Sequence, residues 1–445
     1  MSATTHTLAL HVERLAHGGE GVAHLPDGRV CFVEGGLPGA RWPVELTQEK
    51  RRMAWARVTD DAWHQRLGDG DCPQGARCGG CLFQGVPPQD ELRWKREAVS
   101  DTLRRLARSV AWPDPSPTPT APPIAWRRRA RLHLSPTGAL GYYGRRSTDV
   151  IATDHCHVLT PALQALTRTL RDRLASPPTG AEIHLDEEQE SAACGVVFHI
   201  DAQDTDAWTS HLRRLRLAPE LAVAIDTGKQ RHLVQGEPTL REALHLEGPP
   251  VYAALPWGAF RQANTHLHTP FRRAVRDAVL ASGRGHLSGR GQFGGRGLEV
   301  LELYGGAGNF AVPLAEAGCS VEVVEGARAA LEAGEAAVSQ LPDLQARLRW
   351  TLQDLRHGTA GRLRASRATT LLADPPRGGL SEALRAEILT AKRVRSFVYV
   401  SCEAASLARD VEALASAGWR VDAWQAWDMF PRTPHLELVV SLTRS

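Results

Sequence analysis

Over residues 7–60 apolar and polar positions alternate in short bursts, each closed by a glycine turn. Gly18-Gly19, Gly21, Asp27-Gly28, Gly35-Gly36 and Pro38-Gly39 punctuate the segment, and Val30-Cys31-Phe32-Val33 reads as a strand. Short strands at this spacing predict a small β-barrel. From 89 to 107 the period lengthens. Leu92, Val99, Leu103 and Leu106 fall on one helical face, with Arg, Lys and Glu elsewhere. Trp112 to Pro123 is proline-rich and predicts a stiff extended linker. Residues 124–255 mix strands and helices without a sharp motif. Residues 281–297 are low-complexity Arg-Gly sequence, read as a flexible loop in which Arg284, Arg290 and Arg296 could touch RNA. Beyond 297 the pattern becomes α/β. Strand-like runs at 298–304, 321–325, 369–373 and 396–400 alternate with helical stretches, which implies a parallel sheet with crossover helices. Two last strands, near 421–427 and 435–442, add a hairpin to it.

Composition narrows this picture. At 445 residues, two or three domains are expected. An apolar share of 42% and a charged share of 23% are those of an ordinary globular protein. No apolar run approaches the roughly 18 residues of a membrane span, and Met1 to Leu10 carries no secretory pattern. A cytoplasmic protein is expected, with its eight cysteines serving as ligands or nucleophile rather than in disulfides. No dimerisation element is visible, so a monomer is expected. The net charge of +3 does not mark a nucleic-acid binder. Arg127-Arg128-Arg129-x-Arg131 beside Trp126 suits a phosphate backbone with a stacked base, or else is a solvated strand face.

Five motifs carry candidate chemistry. Leu301 to Phe310 is a strand running into a glycine loop, Tyr304-Gly305-Gly306-Ala307-Gly308, and Glu325 ends the next strand where ribose hydroxyls would be met. Taken alone this fits a nicotinamide cofactor as well as a methyl donor. Asp374-Pro375-Pro376-Arg377 ends a later strand, on the edge where ligands bind in open α/β sheets. An Asp-Pro-Pro turn there suits a methyltransferase acting on a planar base. Cys402 ends the run Phe397-Val398-Tyr399-Val400-Ser401 and opens a helix, where the helix dipole is expected to lower its pKa. A thiolate adding to carbon 6 of a uracil would make carbon 5 nucleophilic, and a base must then remove the carbon 5 proton. Glu437, between Leu436 and Leu438, is the candidate base, its pKa raised by restricted solvent access. Cys72, Cys78 and Cys81, set as C-x5-C-G-G-C, read as metal or cluster ligands.

These residues resemble the RNA uracil-5-methyltransferase family along almost the whole chain. Glu13 to Val58, with Gly-Glu-Gly-Val-Ala and Val-x-Phe-Val-Glu-Gly-Gly-Leu-Pro-Gly, is similar to its RNA-binding TRAM barrel. Cys72 to Gln84, with Cys156, resembles the four-cysteine site of a [4Fe–4S] cluster in the branch that modifies large-subunit ribosomal RNA. Phe260-Arg261-Gln262-Ala263-Asn264 resembles Phe-x-Gln-x-Asn, and Met429 to Glu437 resembles the segment carrying the base. The resemblance implies an α/β protein in three parts. These are a TRAM barrel (1–62), a central α+β domain holding the cysteines (63–255, with helix 89–107 able to pack on the next domain), and a Rossmann-like class I methyltransferase domain (256–445). It implies Cys402 as nucleophile, Glu437 as proton acceptor, and Gln262, Tyr304, Glu325 and Asp374 at the S-adenosylmethionine site. Asp354 is a further candidate near the adenine. Cys72, Cys78, Cys81 and Cys156 are implied as cluster ligands, with zinc as the alternative metal. The implied partner is structured RNA, ribosomal RNA with transfer RNA as the alternative, and the rival is a non-catalytic RNA-binding or assembly factor of the same fold. The sequence departs from the family at Cys402-Glu403-Ala404, where Cys-Asn-Pro is usual, and a carboxylate at 403 is expected to raise the thiol pKa.

Overall fold

The computed structural model describes residues 7–59, 62–63, 72–75, 77–153, 155–284 and 297–444. Arg290, Arg296 and the side chain of Arg284 lie outside the described residues, as does the N-terminus to residue 6.

The glycine-punctuated segment forms six strands in the order Leu8–His11, Arg41–Glu49, Met53–Val58, Val30–Glu34, Gly21–His24, Arg14–Leu15. The first and last of these are consecutive in the chain. Val12 N–H donates to Ala40 O, and Glu13 N–H donates to Val22 O, so one bent strand closes the sheet on itself. Leu10, Val12, Val33, Val44, Ala56 and Val58 fill the interior, and Trp63 stoppers it.

The central sheet has seven strands in the order Arg231–Gln235, Ala222–Asp226, Cys194–His199, Ala181–Glu187, Arg129–Leu134, Leu140–Tyr143, Val150–Ala152. Alternation sends Ala130, Leu132, Leu134, Ile183 and Leu185 to one face, where helices Pro161–Arg173 and Thr205–Arg214 cover them. Arg131, His133, Glu182 and His184 alternate with those residues.

The C-terminal sheet also has seven strands, in the order Leu348–Leu352, Ser320–Glu325, Glu299–Leu303, Thr370–Ala373, Ser396–Ser401, Glu437–Thr443, Arg420–Trp427. The first five run parallel, and Glu437–Thr443 inserts antiparallel between Ser396–Ser401 and Arg420–Trp427. Both faces are buried. Val300, Val321, Val323 and Val398 pack on one side, with Phe271 and Val275 of helix His268–Arg284. Leu301, Leu303, Leu371, Phe397 and Tyr399 pack on the other, with helix Ala404–Ala415. Strand Leu348–Leu352 is absent from the sequence reading. It is an edge strand whose first residue alone is buried, so it leaves no apolar run to read.

Two segments that precede residue 256 build the core of this last sheet. The hairpin Thr239–Ala243 with Tyr252–Pro256 contributes Leu240, Ala253 and Leu255. Helix Pro88–Leu106 contributes Val99 and Leu103. Its buried face is rotated from the one predicted. Leu106 is exposed, while Glu91 and Lys95 are buried. Lys95 Nζ lies 2.5 Å from Asp428 Oδ1 and 3.3 Å from Glu91 Oε1, so ion pairing overrides apolar periodicity there. The proline-rich linker lies along the outer strand, with Trp424 Nε1 donating to Pro113 O and Asp428 N–H to Pro119 O. Among the described residues no helix is long and apolar enough to cross a membrane.

Candidate active site

The glycine loop follows strand Glu299–Leu303, which lies between two parallel neighbours, so it opens at the carboxyl edge of the sheet. Tyr304 adopts φ +62°, a strained backbone for a tyrosine, and its N–H donates to Val324 O at 2.9 Å. Gly308, at φ +90°, has room for no side chain, since a Cβ would stand 2.8 Å from Trp350. A Cβ on Gly306 would instead meet open space. Glu325 holds the loop from below: its carboxylate accepts Gly306 N–H at 2.9 Å and Ala327 N–H at 2.6 Å.

One cleft of about 1310 Å³ joins this loop to the rest of the predicted site. Gln262, Tyr304, Glu325, Asp374, Cys402 and Glu437 all line it. Asp354 does not. It is exposed and paired with Arg356 at 2.6 Å, which holds its carboxyl down to about 2. Asn264, the last residue of the Phe-x-Gln-x-Asn run, is structural. Its amide donates to Met429 O at 3.0 Å and accepts from His266 and Leu267 N–H, which ties the Gln262 segment to the segment leading to Glu437.

The electrostatics of the cleft are those of crowded acids in a dry place. Burial pushes Glu437 up to about 8, with Asp374 pushing the same way and Arg377 opposing. Burial also raises Asp374, to about 7. Glu437 Oε2 has no hydrogen-bond partner among the described residues, which leaves it free to take a proton from a substrate. The expected lowering of the Cys402 thiol is corrected. Burial pushes it up to about 12, and the carboxyls of Glu437 and Asp374 add to that, outweighing Arg377. The charges that raise it most are those of Glu437 and Asp374, not that of Glu403. Its carboxylate caps the helix, accepting Ala405 N–H at 3.4 Å, and pairs with His17 of the barrel. That hydrogen bond to His17 holds Glu403 below its ordinary range.

Sequence reasoning left Arg377, His435 and His17 without roles, although the first two line the cleft with Cys402 and His17 pairs with the residue after it. Arg377 Nη2 lies 3.4 Å from His435 Nε2, and burial with Arg377 holds His435 down to about 4. The arginine run is also corrected. Arg128 is fully buried and pairs with Glu242 at 2.8 Å, while Arg129 pairs with Asp186 at 2.8 Å. Arg261 bridges the same two acids. Trp126 is buried as well. Of the run, Arg131 keeps a mostly exposed side chain on the cleft wall.

The four cysteines Cys72, Cys78, Cys81 and Cys156 line one small cavity of about 30 Å³ with Gln84, Arg127 and Tyr142. Burial pushes the Cys78 and Cys81 thiols up to about 11 and about 12, and Cys156 and Cys72 add to both shifts. Among the described residues no three His, Cys, Asp or Glu groups converge closely enough to hold a metal ion. Zinc, bound by thiolates at ~2.3 Å, would draw the sulfurs to within roughly 3.8 Å of one another. Four thiols around one cavity supply a donor type that either zinc or an iron–sulfur cluster takes. The cavity also touches Pro431 and Thr433 of the segment before Glu437.

Known proteins match the chain along most of its length. The model of the tRNA (Uracil-5-)-methyltransferase family matches residues 184–445, and that of the TRAM domain matches residues 5–59. The 23S rRNA (uracil(1939)-C(5))-methyltransferase RlmD of Chromohalobacter salexigens is 31% identical over 460 residues, which cover 98% of this chain and 89% of that one. Its counterpart in Halomonas elongata is 32% identical over 448 residues, covering 97% and 89%. The crystal structure of Pyrococcus abyssi tRNA (uracil-54, C5)-methyltransferase in complex with S-adenosyl-L-homocysteine shares the fold, with a TM-score of 0.68 at 21% identity over 98% of this chain and 100% of that one. The chain therefore belongs to the tRNA (uracil-5-)-methyltransferase family, S-adenosylmethionine-dependent enzymes that methylate carbon 5 of uracil in RNA.

Proposed function

We propose that this enzyme methylates carbon 5 of a uridine in 23S ribosomal RNA, with Cys402 as nucleophile and Glu437 as base. The observation that carries the reading is the single cleft that brings Cys402, Glu437 and Asp374 to the mouth of the glycine loop. The flipped-out uracil enters over Asp374-Pro375-Pro376. Sulfur of Cys402 bonds to carbon 6, and the electron pair of the 5,6 double bond moves to carbon 5. Carbon 5 takes the methyl group from the sulfonium donor, which leaves as the neutral thioether. Glu437 then removes the carbon 5 proton, the carbon–sulfur bond breaks, and the double bond is restored. Gln262, Tyr304 and Glu325 line the donor's side of the cleft. The high thiol pKa of the free enzyme fits this order of events. A sulfonium cation bound beside Arg377 would oppose the two carboxyls and favour the thiolate only when both substrates are present.

The ribosomal target rests on the two relatives that match nearly the whole chain. Cys72, Cys78, Cys81 and Cys156 are inferred to hold a [4Fe–4S] cluster, which would supply a rigid staple between the cysteine segment and the segment before Glu437. Anaerobic purification followed by iron, sulfide and zinc analysis tests that assignment, and stoichiometric zinc would overturn it. A monomer working in the cytoplasm, where thiols stay reduced, is consistent with eight free cysteines.

The decisive experiment offers 23S RNA bearing 5-fluorouridine together with the donor. Fluorine cannot leave as a proton does, so the reaction should stop at a protein–RNA conjugate on Cys402. No conjugate with 23S RNA but a conjugate with transfer RNA would move the substrate. No conjugate with either RNA sinks the mechanism.

A further inference from the structure

The residue after the nucleophile is tied to the far end of the chain. His17 belongs to the barrel turn between Arg14–Leu15 and Gly21–His24, and its Nε2 pairs with Glu403 Oε1 across 386 positions of sequence. Both side chains are about three-quarters buried. The turn is fixed from within by Ala16 N–H donating to Glu20 O at 2.7 Å and Gly19 N–H to Ala16 O at 2.9 Å. It is also wedged from outside. Gly19 sits at φ +90°, and a Cβ there would fall 2.4 Å from Leu82 and 2.9 Å from Pro434. Leu82 follows the cysteine segment, and Pro434 precedes the base, so the turn is pressed against both walls of the site. Gly18, Gly19 and Glu20 line the same cleft as Cys402.

At the other end of the contact, Glu403 spans two jobs. Its carboxylate caps helix Ala404–Ala415 through Ala405 N–H, and the Cys402 backbone is bonded to it directly. Ser401 Oγ accepts Glu403 N–H at 3.2 Å, which locks the turn that carries the thiol. A carboxylate next to a nucleophilic sulfur opposes ionisation of that sulfur unless a cation meets it. His17 Nε2 is the group hydrogen-bonded to that carboxylate.

We propose that His17 is a positioning residue for the nucleophile: by holding and neutralising Glu403, it makes seating of the barrel a condition for forming the Cys402 adduct. The inference rests on the mechanism given above. It assigns the barrel a part in the chemical step, separate from any part in holding RNA.

The test measures single-turnover conjugate formation with 5-fluorouridine RNA in four proteins: the parent, His17→Ala, Glu403→Gln, and both changes together. RNA affinity is measured on each in parallel. The expected result is that His17→Ala slows conjugate formation at saturating RNA by about tenfold, a loss of ~1.4 kcal/mol, with RNA affinity changed less than twofold. The double variant should regain at least half of that loss on a logarithmic scale, because a neutral glutamine needs no counter-charge. Three results would overturn the proposal. His17→Ala could form conjugate at the parent rate. It could lose RNA affinity alone. Or the double variant could be as slow as His17→Ala, which would mean packing and not charge. If the parent itself traps no RNA, the mechanism fails and not this inference.

Discussion

The two seven-stranded sheets of this protein have the same strand count and opposite uses. The C-terminal sheet is covered on both faces, with Val300 and Leu301 packing into different cores. It opens at its carboxyl edge, where the glycine loop, Asp374, Cys402 and Glu437 cluster. The central sheet is covered on one face by two helices. On its other face Val197, Ala222 and Ala224 pack with Leu255 and Trp257, while Arg131, His133, Tyr143 and His184 lie along the same cleft. The difference is one of dielectric. Side chains at the buried edge stand in a dry pocket, so Glu437 and Cys402 titrate far from their ordinary values. Side chains on the open face are wetter, and a strand of RNA can meet several of them at once. Point chemistry at the edge and distributed contact on the face should respond to mutation on different scales.

The largest effect is expected at the edge. Cys402→Ala should bring methyl transfer to background while leaving RNA affinity within about twofold of the parent, read by labelled donor and by filter binding. Retained methylation would break the comparison at its root. A protein that binds but never methylates, even in parental form, would favour the assembly-factor reading.

Glu437→Gln comes next. Loss of a general base should lower turnover by about 10²–10⁴-fold, and the variant should accumulate a conjugate with ordinary uridine RNA, because methylated adduct cannot shed its proton. The pH dependence has a definite sign. Only the ionised carboxylate accepts a proton, so parental turnover should rise with pH through about 8. Asp374→Asn removes a charge that raises Glu437, so it should move that rise to lower pH. Stability runs the other way. Glu437 binds its proton more tightly folded than unfolded, so the stability this contributes is full below its ordinary value of 4.5 and is lost as pH rises through about 8. Glu437→Gln should therefore melt a few degrees higher than the parent at pH 9 and no higher at pH 4.

A third effect separates the buried side from the open one. Lys95→Ala leaves Glu91 and Asp428 buried without their shared cation, at an expected loss of about 3–5 kcal/mol. Denaturant unfolding checks it. A loss under ~1 kcal/mol would mean that water reaches the pair.

What the sequence made legible follows the same division. Barrel strands, the parallel run and the final hairpin showed as periodicity because one or both faces of each are apolar. The glycine loop, Asp374 and Cys402 showed because each follows an apolar strand, and Glu437 because it opens one, in a sheet whose active edge is fixed by topology. Contacts between distant segments left no such mark. Nothing local in Arg128 says that it is buried on Glu242, 114 residues away, and nothing in Glu91 or Lys95 says that the helix turns its charged side inward. His17 looks like a surface histidine until the barrel is docked. Edge strand Leu348–Leu352 lacked a buried stripe to read. Local pattern reports the faces of elements, and pairing across domains is set by charge that pattern does not record.

The smallest effects belong to the open face. Tyr143 is 40% exposed and stacks on His133 with ring centroids 3.6 Å apart, a platform on which a base could continue the stack. Phe260, 79% exposed on the cleft rim with the Arg129 guanidinium 5.9 Å from its ring, offers a second. Removing one such platform, by Tyr143→Ala, should weaken RNA binding by about 1–3 kcal/mol with turnover at saturating RNA nearly unchanged. Arg131→Ala should act through charge alone. Its side chain is 64% exposed, and its ion pair to Glu182 at 3.5 Å is weak competition for a phosphate. If it meets one phosphate of a single strand, the slope of log affinity against log salt should flatten by about 0.7, and affinity should fall most at low salt. The measurement is a salt titration of RNA binding for parent and variant. An unchanged slope would place the RNA off this face. A fall in turnover at saturating RNA would place Arg131 in the chemistry, and the division between edge and face would then be wrong.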